Sequence, residues 1–141
     1  MIEIACSQYV ATNPSNLLST LLDHDNLSRF FRAQISTHRT ATQHLTGGVG
    51  CVREVRHFPF RFFELIEKAD LDGIRYRILG QVPLRDHRGE ITFQPHGLGT
   101  YIAYRISGTA PWWLPSGILR SAISREIQRA LKNLAAYYAQ R

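Results

Sequence analysis

Three rings with polar tips, Tyr76, His87 and Tyr104, are the residues of this 141-residue sequence best placed to do chemistry. An imidazole can give or take a proton near neutral pH, and a phenol can donate or accept a hydrogen bond. His87 is thus the candidate general acid or base. Strand alternation puts all three rings on one face, where they either converge on a shared space or pack separately, each satisfying its own hydrogen bond. Glu64 is a fourth candidate. Phe60, Phe62, Glu64 and Ile66 alternate with Arg61, Phe63, Leu65 and Glu67, and both sets contain apolar residues, so the sequence leaves the direction of Glu64 open. Turned inward, its carboxyl would be desolvated, its pKa raised, and it would suit proton transfer. Turned outward, it would pair with Arg75 or Arg77.

Other chemistries find less support. Of the six histidines none forms H-x-x-x-H, and no cysteine pair lies nearby, so the spacing predicts no metal site and no cofactor. His38 and His57 could still meet across neighbouring strands. No G-x-S-x-G elbow occurs. Gly47-Gly48-Val49-Gly50 leads into a strand rather than a helix N-terminus, so it reads as a turn, not a phosphate loop.

The elements that must position these residues follow from periodicity. Ile2 to Val10 reads as a strand. Asn13-Pro14 starts a helix, with Asn as the cap and Pro at the first helical position, and Leu17, Leu18, Leu21 and Leu22 face inward. Asp25 to Phe31 predicts a second short helix. Strands follow over Ala33–Gln43, Gly50–Phe58, Phe60–Ala69, Arg75–Pro83, Asp86–Gln94 and Gly99–Ser107. In the last three, Tyr76, Ile78, Gly80 and Val82 share a face, as do His87, Gly89, Ile91 and Phe93, and Thr100, Ile102, Tyr104 and Ile106. From Ser116 to about Tyr138 there is no Pro, and Leu119, Ile123, Ile127, Ala130, Leu131, Leu134 and Tyr138 recur at helical spacing. A helix of that length is about 35 Å long, and its stripe must cover the sheet before it. The expected fold is α+β: a seven-stranded antiparallel sheet wrapped around a long C-terminal helix, with two short helices after the first strand. A curved sheet around one helix leaves space for a ligand. Tyr76, Ile78, His87, Ile91, Phe93, Ile102, Tyr104, Trp112, Leu119 and Ile123 are predicted to line it. Trp112-Trp113, between Pro111 and Pro115, stands at the hinge of sheet and helix. It could gate the cavity, touch a membrane surface, or anchor the helix end.

Length and composition fit one domain over residues 1–141, with 44% hydrophobic and 20% charged residues. The net charge is +6, but 15 of the 17 basic residues are arginines spread along the chain. That dispersal predicts no sequence-specific nucleic-acid binding. No apolar run is long enough to span a membrane, and the start has no basic n-region, so a cytoplasmic protein with two reduced thiols, Cys6 and Cys51, is expected.

Beyond these patterns, the sequence resembles the helix-grip (START-like, SRPBCC) superfamily, in particular its polyketide cyclase/dehydrase and lipid-transport branch. The stretches that carry the resemblance are Asn26-Leu27-Ser28-Arg29-Phe30, Gly50-Cys51-Val52-Arg53, Tyr76-Arg77-Ile78 with Gly80-Gln81-Val82-Pro83, and Gly99-Thr100-Tyr101-Ile102-Ala103-Tyr104. The resemblance covers nearly the whole chain. Relatives commonly carry Trp at the place of Tyr104 and Tyr at that of His87, which implies a more polar pocket here. The superfamily includes lipid carriers, hormone receptors, aromatase/cyclases and chaperone activators. The resemblance therefore implies binding, and possibly transport, of a hydrophobic or aromatic small molecule such as a lipid or polyketide. A cyclase/dehydrase-type enzyme and a protein-interaction module are the rival readings.

Overall fold

The computed structural model describes residues 1–43, 45–57, 59–81 and 83–139. Strand β1 (Ile2–Val10) is followed by α1 (Pro14–Leu22), a 3₁₀ helix (His24–Arg29), β2 (Gln34–Arg39), β3 (Val52–His57), β4 (Phe60–Asp70), β5 (Gly73–Leu79), β6 (Arg85–His96), β7 (Gly99–Thr109) and α2 (Ser116–Ala139). The seven strands form one antiparallel sheet in the order β1-β7-β6-β5-β4-β3-β2. The chain thus adopts the helix-grip fold that the sequence predicts. Phe58 and Val82 lie outside the described residues, and so does the expected end of β3 at Phe58.

Local chemistry accounts for most boundaries. The Asn13 side chain accepts a hydrogen bond from the Asn16 amide at 2.8 Å, and Pro14 opens α1 without wasting a donor. Asp23 breaks the helix with φ −82° and ψ 72°, and the segment that follows closes i→i+3 bonds, Asn26 N to Asp23 O at 3.1 Å among them. The second short helix is therefore 3₁₀ rather than α. β2 is shorter than the predicted Ala33–Gln43 because only Ile35 of that strand is buried and its register shifts between Thr37 and Arg39. β5 likewise stops at Leu79, where Gly80 has a φ of 129°.

The inner face of the sheet carries Ile2, Ile4, Ile66, Ile74, Tyr76, Ile91, Phe93, Ile102, Tyr104 and Ile106, all buried. Against it α2 turns Leu119, Ile127, Ala130, Leu131 and Leu134. The two halves of α2 are held unequally. Toward the C-terminus, Asn133 donates to the Phe30 carbonyl at 3.0 Å, and Tyr138 bonds the Asn16 carbonyl at 3.2 Å and the Thr20 hydroxyl. Between Ser116 and Arg125 only Leu119 is fully buried, and Ile123 is half-buried. Removing α2 would return much of the inner face to water. A chain truncated after Pro115 is expected to lose its cooperative thermal transition, followed by circular dichroism. A sharp melt near the full-length temperature would show that α2 is not part of the core.

Candidate functional site

On the inner face of the sheet lies a cluster of charged and polar side chains almost closed off from water. Arg53 on β3 stands directly across from Glu64 on β4. Its Nε donates to Glu64 Oε1 at 2.9 Å, and both side chains are buried. The guanidinium also lies over the Tyr76 ring, 4.6 Å from its centroid. Its Nη1 reaches His24 Nδ1 at 3.4 Å. Arginine can only donate, so Nδ1 accepts, and His24 carries its proton on Nε2, which donates to the Gly47 carbonyl at 2.8 Å. Gly47 has a φ of 75°, and a Cβ there would strike the Leu22 carbonyl, so the turn needs glycine to bring that carbonyl to the ring. Tyr76 and Tyr104 share a hydrogen bond of 2.6 Å.

Burial and charge set the protonation states. Burial lowers the pKa of His24 to about 4, with Arg53 adding to the effect, so the ring is neutral at pH 7. Burial raises Tyr104 to about 12 and pushes Tyr76 well above the usual phenol value. Burial pulls down on Arg53 most strongly, but Glu64 together with Tyr76 and Tyr104 outweighs it, and the guanidinium stays charged.

His87 is the one member of the cluster left without a bond. It is 6% exposed, and among the described residues neither ring nitrogen has a hydrogen-bond partner. Its Nε2 is 4.0 Å from Glu64 Oε2, and its ring packs against Tyr76 with centroids 5.9 Å apart. Burial lowers its pKa, with Glu64 opposing, so it too is neutral. Alternation with Gly89, Ile91 and Phe93 along β6 turns it inward. Just before it the register with β7 shifts between Arg85 and Arg88, and Asp86 takes a left-handed φ of 52°. Two residues beyond His87, Gly89 sits opposite Tyr76, and a Cβ there would run into the Tyr76 ring. Glycine on an otherwise apolar face is what lets that phenol lie flat across the sheet.

The structure thus brings Tyr76, His87, Tyr104 and Glu64 together. It resolves the direction of Glu64, which points inward and pairs with Arg53 rather than with Arg75 or Arg77. Sequence reasoning missed Arg53 and His24. The available signal for Arg53 was its place between Cys51 and Val55 on an alternating strand, although Arg56 and Glu54 blur that pattern. Ile91, Ile102 and Tyr104 border a gap of about 10 Å³ closed by Leu21, Phe30, Phe31, Ala130, Leu131 and Leu134. That is roughly the room one water needs, so the expected open cavity is filled by side chains. Ile78, Phe93 and Leu119 are buried but do not border the gap. Trp112 does not border the gap: it is 95% exposed, in a turn closed by Leu114 N and the Pro111 carbonyl. His38 and His57 do not meet, since the β2–β3 register sets Gln34 against Arg56 and Thr37 against Arg53; His38 packs at a tilt against Phe63 instead, 4.7 Å between centroids. Among the described residues no three His, Cys, Asp or Glu side chains converge as metal ligands.

A sheet gripping one long helix over such a face defines a START-like protein. The chain belongs to the polyketide cyclase/dehydrase and lipid transport family, whose sequence pattern matches residues 1–139. Solved structures with the same fold include a START superfamily protein from Mycobacterium smegmatis, with a TM-score of 0.82 at 9% identity over 99% of both chains. A Thermus thermophilus protein superposes with a TM-score of 0.77 at 16% identity, over 98% of this chain and 97% of that one. The Aha1 dimer from Colwellia psychrerythraea gives 0.75 at 13% identity, over 98% and 96%. At such identities the likeness establishes the fold alone. No curated protein matches the chain in sequence.

Two predictions follow from the buried charges. Glu64→Gln or Arg53→Met alone leaves an uncompensated or under-satisfied charge and is expected to cost about 3–5 kcal/mol in denaturant unfolding. The double variant Arg53→Met/Glu64→Leu is expected to cost less than the two single changes together. The second concerns pH. His24 has a folded pKa of about 4 against 6.5 unfolded, so between those values the unfolded chain binds the extra proton. Stability is full above pH 6.5 and falls as pH drops toward 4, by an amount on the order of 3 kcal/mol. His24→Gln is expected to flatten that slope between pH 6.5 and 5, above the main carboxylate range.

Proposed function

We propose that the protein binds a hydrophobic or aromatic small molecule between the sheet and α2, with one hydroxyl or carbonyl of that molecule received by His87. The observation that carries this reading is the buried imidazole with two unpartnered nitrogens. A buried polar group without a partner costs about 1–3 kcal/mol, and a ligand hydrogen bond recovers that. A neutral imidazole both donates and accepts, so it suits either polar group. Tyr76, Ile91, Ile102 and Tyr104 would meet the apolar body. The filled interior means that binding requires room to be made. The first turns of α2, held by little besides Leu119, are the part that can lift. The family's association with lipid transport supports this reading.

A second reading has its own observation. A cyclase/dehydrase-type enzyme needs a proton-transfer group and a partner that orients it. The Glu64 carboxylate stands 4.0 Å from His87 Nε2, and a small approach of the ring would make that contact a hydrogen bond. In that case His87 moves the proton and Glu64 positions it.

Native mass spectrometry of the purified protein, with naphthol and palmitic acid as probes in thermal melts, tests both readings. A bound probe is expected to raise Tm by mass action. Tyr104→Ala is expected to reduce that rise more than Arg105→Ala, because Arg105 is exposed on the opposite face. Equal effects of the two substitutions would sink the proposed site. With a co-purifying molecule identified, His87→Phe separates the readings: weaker binding with no chemistry in the wild type supports a carrier, and loss of turnover with binding retained supports an enzyme.

A further inference from the structure

The turn between β7 and α2 presents the two tryptophans of the chain to solvent. Leu114 N bonds the Pro111 carbonyl at 3.1 Å, so Trp112 and Trp113 are the central pair of a closed turn. Trp112 is 95% exposed, Trp113 55%, and Ile118 in the first turn of α2 65%. Leu114 packs against the core and fixes the base of the turn. Pro111 and Pro115 restrict the backbone on either side, so the indoles are held outward rather than folding back. Register adds a third element: Ile2 pairs with Gly108 and Arg85 with Thr109, which brings exposed Met1 and Arg85 to the same end of the sheet.

A rigid tip of two indoles with an isoleucine beside it is an exposed apolar patch of the kind that marks an interaction site. Charge identifies the partner. From Thr109 to Arg125 there is no acidic residue, and the charged ones are Arg120 and Arg125, both exposed. Glu3 and Asp86 lie at this end and offset Arg85 locally, but the chain as a whole carries +6. Indoles settle at the boundary of headgroups and acyl chains, and arginines beside them meet anionic headgroups. A projecting tip also enters a bilayer interface more readily than it covers a flat protein face. We propose that the 109–125 segment docks the protein onto an anionic lipid bilayer, with Trp112, Trp113 and Ile118 entering the interface and Arg120 and Arg125 contacting headgroups. No helix of the described residues is long and apolar enough to cross a membrane, so this is surface docking. The proposal stands on this turn alone and does not depend on what the site beneath α2 binds.

The chain carries its own reporter, because Trp112 and Trp113 are its 2 tryptophans and dominate its indole fluorescence. Full-length protein is titrated with vesicles of phosphatidylcholine alone and with added phosphatidylglycerol, and followed by emission and co-sedimentation. The anionic vesicles are expected to shift emission to the blue and to bind more tightly, with binding weakened by salt. Trp112→Ser/Trp113→Ser, read by co-sedimentation, is expected to weaken binding about tenfold or more, and Arg120→Gln/Arg125→Gln severalfold. Leu98→Ser, an exposed apolar change at the opposite end of the sheet, is expected to leave binding unchanged. These positions are exposed, so melts of the variants confirm that the fold is kept. The proposal is overturned by any of three results: no blue shift and no binding to anionic vesicles, binding that survives loss of both indoles, or emission already blue-shifted without lipid in a concentration-dependent manner. The last would assign the patch to a second copy of the chain.

Discussion

The guanidinium of Arg53 and the carboxylate of Glu64 face each other across two hydrogen-bonded strands, both almost wholly shielded from water. Placing two charges in such a medium is expensive unless each is matched, and the surrounding side chains are arranged to match them. The Tyr76 ring covers one side of the guanidinium, and His24 accepts a hydrogen bond from another of its nitrogens. Arg53 in turn helps keep His24 neutral. The polar cluster therefore behaves as a unit, and its parts come from β3, β4, β5, β6, β7 and the 3₁₀ helix.

Backbone geometry makes the unit possible. Gly47 turns a carbonyl toward His24, and Gly89 leaves the space in which Tyr76 lies. Alternation along β6 turns His87 into the same layer, where among the described residues neither ring nitrogen finds a hydrogen-bond partner. Among the described residues the cluster is thus satisfied everywhere except at one imidazole, and that imidazole is neutral, so it can both donate and accept. A fully apolar interior would bind a greasy molecule without orienting it. A fully satisfied polar one would offer a ligand nothing. One unpartnered histidine beside a packed apolar wall would serve the proposed binding on both counts.

The grip itself is uneven. The C-terminal half of α2 is tied to α1 and to Phe30, just after the 3₁₀ helix, by hydrogen bonds from Asn133 and Tyr138. The stretch from Ser116 to Arg125 rests on Leu119 and the partly covered Ile123, and it leads back to the exposed tryptophan turn. The part of the helix that can move most easily is therefore joined to the part of the surface most suited to meet a bilayer. In such an arrangement contact with a membrane and access to the interior would involve the same few turns.

The amino-acid sequence by itself determined the order of elements, because periodicity and capping are local. Ile2 to Val10 alternates as a half-buried strand must, Asn13-Pro14 opens a helix by its own hydrogen bond, and the stripe from Leu119 to Leu134 admits one covered face. It also put Tyr76, His87 and Tyr104 on one face, since parity within a strand needs no knowledge of its neighbours. Register and closure it could not supply. Glu64 has apolar residues on both sides of its strand, so its direction depended on Arg53 arriving opposite it on β3. His24 joined the cluster through a turn at Gly47, far along the chain. Trp112 carried an apolar side chain near the expected cavity mouth, yet its exposure was decided by a closed turn between two prolines. The size of the cavity was beyond the sequence altogether. It depends on how Phe30, Phe31 and Leu131 fill the space under the helix, and packing of that kind is a property of the assembled layers rather than of any one segment.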